Sequence, residues 1–112
     1  MTAEVLYGDL YEKYGDDFNW FMPSFIDRTY IQEAEKEIKE GHFLYGKKLY
    51  SVFKRKDNND VIFVTGNNGK DLYIILHLTY EENQDANYPK YELLDSIYEV
   101  KEYLVKQYEN KN

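Results

Sequence analysis

Cysteine is absent from this 112-residue sequence. Disulfide bonds, a thiol nucleophile, thiolate zinc sites and iron–sulfur clusters are therefore excluded. The chain is nevertheless long enough to bury a hydrophobic core without such cross-links, so we expect a single domain over residues 1–112. A cysteine-free chain is also compatible with the reducing cytoplasm, which is the compartment that we expect.

Long hydrophobic runs are missing as well. The longest strongly apolar stretch is IILHLTY, residues 74–80, whereas a membrane-spanning helix needs about 20 apolar residues. The first residues, MTAEVLYGDLYEKYGDD, contain neither the basic region nor the apolar region of a signal peptide. We therefore expect no membrane partner.

Basic residues are in the minority, with 14 Lys and Arg against 21 Asp and Glu, for a net charge of −7. Such a chain is poorly suited to neutralise phosphates, so we expect no nucleic-acid partner. An acidic surface instead attracts a basic protein and raises its encounter rate. The alternative explanation is that the acidity serves solubility alone.

Tyrosine is abundant, with 13 residues against six phenylalanines and one tryptophan. A tyrosine ring is apolar on its faces and forms hydrogen bonds at its tip, which suits contact surfaces between proteins. The alternative explanation is that a small core carries tyrosines at its rim.

The N-terminal segment, residues 1–26, has aromatic residues at the three- and four-residue spacing of one helix face. Gly8, Gly15 and Pro23 prevent one continuous helix. We predict a short helix near 3–14, stopped by Gly15, and then an aromatic arm that lies over the core. The aromatic residues concerned are Tyr7, Tyr11, Tyr14, Phe18, Phe21 and Phe25.

Two further helices are predicted, over residues 29–40 and from Ser96 to 108. Thr29 with Gln32 resembles a capping box, and Gly41 is placed to end the first of these helices. Ser96 with Glu99 resembles a second capping box, and apolar residues then follow at helical spacing.

Three strands are predicted between these helices, at residues 49–55, 61–64 and 72–80. The turn at 67–70 contains Asn-Gly, a strong hairpin signal, and the polar segment 81–90 is a loop. The predicted fold is α+β: a three-stranded antiparallel meander flanked by helices, α-β-β-β-α, over residues 27–108. We expect the last strand to be central and both helices to cover one face. The other face is then either open to solvent or covered by the aromatic arm.

His77 interrupts the most apolar strand. Because side chains alternate along a strand, it lies on the mixed face with Tyr73, Ile75 and Thr79 rather than on the purely hydrophobic face. In a functional interpretation, Asp60 or Asp71 orients His77 as a base. In a structural interpretation, the ring packs under an aromatic residue and donates to a backbone carbonyl.

Partners for catalysis are scarce. Ser24, Ser51 and Ser96 are in no nucleophile-elbow context, and His42 is the only other histidine. No H-x-H or H-E-x-x-H pattern is present. We therefore assign no catalytic residue, no metal site and no cofactor.

Three motifs together resemble a group of small bacterial proteins, most of them uncharacterised. The motifs are His42-Phe-Leu-Tyr-Gly-Lys-Lys-Leu49, Asp60-Val-Ile-Phe63 and the strand that ends His77-Leu-Thr-Tyr80. The similarity covers roughly residues 27–108, and Phe43 stands where the group has proline. The resemblance implies that His77, Thr79 and Tyr80 matter for function, without indicating an activity.

The sequence thus favours a non-catalytic acidic interaction module with a basic protein partner, similar in size and charge to immunity proteins that neutralise bacterial toxins. An alternative is a small-ligand binder or hydrolase-type enzyme around His77, with Asp60 as its orienter. A third is a domain that oligomerises through a sheet edge; the oligomeric state is left open. The binding residues that we predict are Trp20, Asp60, Tyr73, His77, Thr79 and Tyr80.

Overall fold

The computed structural model describes residues 1–82 and 85–110. Within them a sheet is accompanied by three α-helices and a short 3-10 helix at Gly15–Asp17. The helices are α1 (Ala3–Tyr14), α2 (Thr29–Glu37) and α3 (Ile97–Glu109). The strands are β1 (Trp20–Phe21), β2 (Tyr50–Arg55), β3 (Asp60–Asn67), β4 (Lys70–His77) and β5 (Tyr91–Leu94). None of the described helices is both long and apolar enough to cross a bilayer.

The sheet has the order β1-β2-β3-β4-β5, and all neighbouring strands are antiparallel. The predicted α+β class and antiparallel arrangement are confirmed, but the count of three strands is too low. Both missed strands are at the edges, and they are too short or too exposed to produce a clear alternating pattern. The central strand is β3, not β4 as predicted, because β1 and β2 lie on one side of it and β4 and β5 on the other.

The β3–β4 hairpin turns where the sequence predicted. Asn67 pairs with Lys70, and the two residues between them have positive φ, 52° at Asn68 and 82° at Gly69. Asparagine and glycine adopt this left-handed conformation more readily than other residues, which is why Asn-Gly is found in such two-residue loops.

Helix α2 differs from its prediction at both ends. Thr29 does not cap it; instead, Oδ1 of Asp27 accepts hydrogen bonds from the Thr29 amide and hydroxyl groups, at 2.9 and 2.6 Å. The helix ends at Glu37, because the backbone of Ile38 is extended. The Ile38 side chain is buried, with 7 % of its surface exposed. Gly41 lies in the turn that follows, with φ of 98°.

Helices α1 and α3 begin and end close to the predicted positions. Thr2 accepts from the Val5 amide at 3.1 Å, and Gly15, with φ of 71°, ends α1. Ser96 accepts from the Glu99 amide at 3.3 Å, as the predicted capping box requires.

Helices cover both faces of the sheet, so the prediction that α2 and α3 share one face is wrong. Helix α2 packs on one face, where its buried Ile31 and Ala34, followed by Ile38, meet the alternating residues of β4 that include Ile74 and Leu76. Helices α1 and α3 pack on the other. The N-terminal segment thus covers the second face, one of the two predicted alternatives. Its buried contributions are Leu6, Leu10, Phe18 and Trp20.

Candidate functional site

His77 lies at the end of β4, directly opposite Asp60 at the start of β3. Its Nδ1 is 2.7 Å from Oδ1 of Asp60, and its Nε2 is 3.1 Å from Oε2 of Glu92 on β5. Glu92 pairs with Ile75, which places its side chain on the face of His77. The contact between His77 and Asp60 that the functional interpretation requires is therefore present. The alternative orienter, Asp71, stands opposite Gly66 near the other end of β4.

The two carboxylates favour the charged form of the ring. The hydrogen bond to Asp60 raises the pKa of His77 most; burial opposes this, and the charge of Asp60 and the contact with Glu92 add to the increase. Ionised carboxylates only accept hydrogen bonds, so an imidazolium with two N–H donors satisfies both neighbours. The contacts with Asp60 and Glu92 thus favour the protonated ring.

We call the three side chains of Asp60, His77 and Glu92 the His77 array. Tyr103 of helix α3 lies close to it. Burial, together with the negative charges of Asp60 and Glu92, raises the pKa of Tyr103 to about 12, against an opposing effect of Arg55. The Tyr103 ring also contacts the edge of Trp20, with centroids 6.1 Å apart. Trp20 is 0 % exposed, so the prediction that it contacts a partner is wrong: it is a core residue.

Neither a nucleophile nor a metal site accompanies His77 among the residues that the structure describes. Its two ring nitrogens already face carboxylates on opposite edges of the ring, so a single ion cannot be bound by all three side chains. No group of three or more metal-ligating side chains is found in the described part of the chain. Ser96, one of the three candidate nucleophiles, caps α3.

Thr79 and Tyr80 follow β4 and are held by a carboxylate from α2. Glu37 is 1 % exposed, and its Oε1 accepts from the Thr79 amide at 2.8 Å and from the Thr79 hydroxyl at 2.9 Å. Its Oε2 accepts from the Tyr80 amide at 2.9 Å. Tyr80 has φ of 56°, which ends the extended backbone and corrects the prediction of a strand up to residue 80.

Glu33 completes this buried acidic pair. Its hydrogen bond with Glu37 raises the pKa of Glu33, and burial adds to the increase. Burial alone would raise the pKa of Glu37, but hydrogen bonds from Glu33, Thr79 and Tyr80 outweigh it and lower the pKa. When the pair holds a single proton, these opposite directions place it on Glu33. Glu37 is then the acceptor that positions the segment after β4.

Two depressions that share the carboxylates of Glu81 and Glu82 adjoin this segment. One, of about 370 Å³, is lined by Glu33, Lys36, Lys39, Tyr80, Glu81 and Glu82. The other, of about 310 Å³, is lined by Thr79, Glu81, Glu82 and Tyr88. Tyr80 and Tyr88 are 47 % and 43 % exposed beside the carboxylates. Nζ of Lys90 lies over the Tyr88 ring, 4.7 Å from its centroid, so this ring already binds a cation.

Tyr73 is not part of this surface. It is half-buried, four residues before His77 on β4, which corresponds to about 13 Å along a strand. It lines a separate depression of about 440 Å³ together with Met22, Phe25 and Val52. The structure therefore brings Asp60 to His77, and Glu37 holds the neighbouring Thr79 and Tyr80. Trp20 lies in the core, and Tyr73 lines a different depression.

Sequence reasoning missed three residues here, Glu37, Glu92 and His42. Glu37 and Glu92 are polar residues in a predicted helix and an unassigned segment, and no local pattern indicated their partners. His42 is 5 % exposed; its Nδ1 accepts from the Leu44 amide at 3.0 Å, and its Nε2 donates to the Pro89 carbonyl at 2.8 Å. The structural role considered for His77, a ring near an aromatic residue that donates to a carbonyl, is that of His42, whose centroid is 5.2 Å from that of Tyr91.

A scan against protein-family models, a search of curated proteins and a search of solved structures each gave no match. The resemblance to a group of small bacterial proteins therefore stays a prediction.

Proposed function

We propose that this chain is a non-catalytic, acidic protein-interaction module that binds a basic protein partner. The observation that carries the proposal is the depression lined by Thr79, Glu81, Glu82 and Tyr88, in which two carboxylates meet no lysine among the described residues. The neighbouring depression shares Glu81 and Glu82 and adds Tyr80, but it also contains Lys36 and Lys39. Carboxylates beside accessible tyrosine rings suit lysine and arginine side chains, which interact with both. We call the surface formed by residues 79–82 and Tyr88 the acidic rim.

The backbone of the acidic rim is preorganised. Glu37 accepts three hydrogen bonds from Thr79 and Tyr80, and Glu37 itself belongs to a helix packed on the sheet. The Glu81 amide donates to the Thr79 hydroxyl at 3.2 Å. A segment held in this way loses little conformational entropy on binding, which favours affinity.

The charge of the whole chain supports the same partner. A net charge of −7 produces a long-range attraction for a basic protein and raises the association rate. The His77 array adjoins the acidic rim in sequence, and the Glu92 side chain is 58 % exposed, so it adds a carboxylate at the end of β4. Size and charge also give the analogy with immunity proteins, whose partners are toxins.

The test begins with capture of the partner from host lysate and continues with the purified pair. A basic protein should bind in near-equal amount, and its affinity should fall steeply as salt is raised. The variant E81K/E82K should lose at least about tenfold in affinity, as expected for charges reversed at a contact. The control variant D9K/E12K makes the same change in charge on exposed positions of α1.

Equal losses in the two variants would show that only net charge matters and would refute the acidic rim. Failure to recover any basic protein in stoichiometric amount would count against the interaction module itself.

A second candidate function rests on the 2.7 Å contact between Asp60 and His77. In that proposal the chain is a small-ligand binder or hydrolase-type enzyme in which Asp60 orients His77. Glu92 would have to leave Nε2 before His77 acted as a base. Ring resonances of His77 that shift when metabolites are added, and a larger shift in E92A, would favour this function over the interaction module.

A further inference from the structure

A fourth depression lies on the α2 face and involves neither His77 nor the acidic rim. It has a volume of about 440 Å³ and lies between α2 and the connection at residues 44–49 that leads into β2. This volume is within the range of about 300–1,000 Å³ that is typical of small-molecule sites. We call it the α2 groove.

The floor of the α2 groove is apolar. It is formed by Ile31 of α2, by Ile38 directly after α2, and by Leu44 and Leu49 of the connection, all between 1 % and 7 % exposed. These residues also belong to the core, so the floor is part of the rigid body of the domain. An apolar part of a ligand placed there would be removed from water.

The rim of the α2 groove is basic, unlike most of this acidic chain. Arg28, Lys47 and Lys48 line it, and the single lining carboxylate is Glu35, 3.5 Å from Arg28. Three cations and one carboxylate give a local charge of +2, against −7 for the chain. Neither lysine forms an ion pair with a carboxylate of the described residues.

Each of the two lysines lies over an aromatic ring. Nζ of Lys47 is 5.2 Å from the ring centroid of Phe43, and Nζ of Lys48 is 5.7 Å from that of Tyr50. The turn that carries them is fixed by the buried ring of His42, which accepts from the Leu44 amide.

Gly46 makes the bend in this turn possible. Its φ of 78° lies in the left-handed region, where a residue with a side chain is strained. The segment from His42 to Leu49 thus supplies the supporting histidine, the bend, two of the three basic residues of the rim and half of the apolar floor.

We propose that the α2 groove binds a small amphipathic anion, a carboxylate that carries an alkyl chain of about six to eight carbons, which is small enough for a depression of about 440 Å³. The alkyl chain lies on Ile31, Ile38, Leu44 and Leu49, and the carboxylate faces Lys47, Lys48 and Arg28. This site is independent of the basic protein partner, because it uses a different surface and a ligand of opposite charge.

The experiment is an NMR titration of the methyl-labelled protein with octanoate. Saturable shifts should appear at the methyl groups of Ile31, Ile38, Leu44 and Leu49, while those of Val100 and Leu104, under the opposite face, should not move. Hexanoate should bind about tenfold more weakly, since each methylene removed from water contributes roughly two- to fourfold in affinity. Acetate, which lacks the chain, should give no saturable shift.

Charge is tested by one ligand and one pair of variants. Octanamide has the same chain without the charge and should bind about fivefold more weakly than octanoate, as should octanoate to K47Q/K48Q. The variant K70Q/K101Q removes two exposed lysines away from the groove and should bind octanoate as the unmodified chain does.

Equal binding of octanamide and octanoate, or shifts spread over both faces of the sheet, would overturn the proposal. Shifts of the groove methyls that depend on protein concentration without octanoate would assign the groove to a second copy of the chain, which would also overturn it.

Discussion

The Nδ1 atom of His77 lies 2.7 Å from Oδ1 of Asp60, and the two residues face each other across β4 and β3. Glu92 on β5 takes the other ring nitrogen, so a histidine at the end of an apolar strand is flanked by two acids. The arrangement results from pairing between three strands, in which residues opposite each other point to the same face.

Removal of Asp60 should lower the pKa of His77. Its hydrogen bond is the largest cause of the raised pKa, and burial, which remains in D60N, acts in the opposite direction. NMR titration of the ring in D60N measures the change. In the control D71N, which removes a carboxylate near the other end of β4, the pKa of His77 should stay as in the unmodified chain; an equal decrease in both would contradict the assignment.

The same contact should make stability depend on pH in a known direction. A folded-state pKa above the ordinary 6.5 means that the stabilisation is fully present below pH 6.5 and is lost as the pH rises through the folded-state pKa. Urea unfolding across this range should show a decrease in the unfolding free energy for the unmodified chain and a smaller one for D60N. If the unfolding free energies of the two proteins decreased equally with pH, the His77–Asp60 pair would not be the origin of the decrease.

Glu37→Gln should destabilise the domain by about 2–3 kcal/mol, because an amide has one acceptor oxygen where the carboxylate uses two, and its N–H₂ group would face backbone donors. The substitution affects the hydrogen bonds to Thr79 and Tyr80. Glu35 on the same helix is 62 % exposed, and Glu35→Gln should change stability by less than about 0.5 kcal/mol. Similar effects in the two variants, measured by urea unfolding, would refute the anchoring role of Glu37.

Glu33→Gln should leave stability at neutral pH unchanged or raise it by about 1 kcal/mol, since glutamine donates to Glu37 without needing a proton. The raised pKa of Glu33 means that its stabilising contribution is present below its ordinary value of 4.5 and is lost as the pH rises through the folded-state pKa. Above pH 4.5, the free energy of unfolding of E33Q should therefore change less with pH than that of the unmodified chain. A marked loss of stability in E33Q at pH 7 would contradict the proton assignment.

His42 should matter more for stability than His77. The variant H42L leaves the Leu44 amide and the Pro89 carbonyl without the buried partner that each has now, at a cost of about 2–4 kcal/mol. H77L removes a ring that is 36 % exposed and whose carboxylate partners retain contact with water, so its cost should be smaller. Chemical denaturation of both variants at pH 7 measures which substitution costs more stability. A larger loss in H77L than in H42L would be inconsistent with the structural role assigned to His42.

Local sequence patterns predicted the elements that depend on neighbouring residues. Helix α3 was predicted from the Ser96 cap and its apolar spacing, α1 from the stop at Gly15, and the β3–β4 turn from Asn68 and Gly69. Each of these signals acts within about four residues along the chain, so the amino-acid order alone contains it. The edge strands β1 and β5 lacked such a signal because their hydrogen bonds go to strands distant in sequence.

The sequence by itself determined an acidic, cysteine-free α+β domain with a central hairpin and a C-terminal helix, because composition and short-range periodicity are properties of the chain. The tertiary structure alone decided which helix covers which face, that Trp20 is in the core, and that His77 lies between Asp60 and Glu92. It also decided that Glu37 anchors Thr79 and Tyr80 from 42 and 43 residues away. The physical reason is that burial and side-chain pairing arise from contacts between distant segments, which form only when the sheet and its two helical layers pack together.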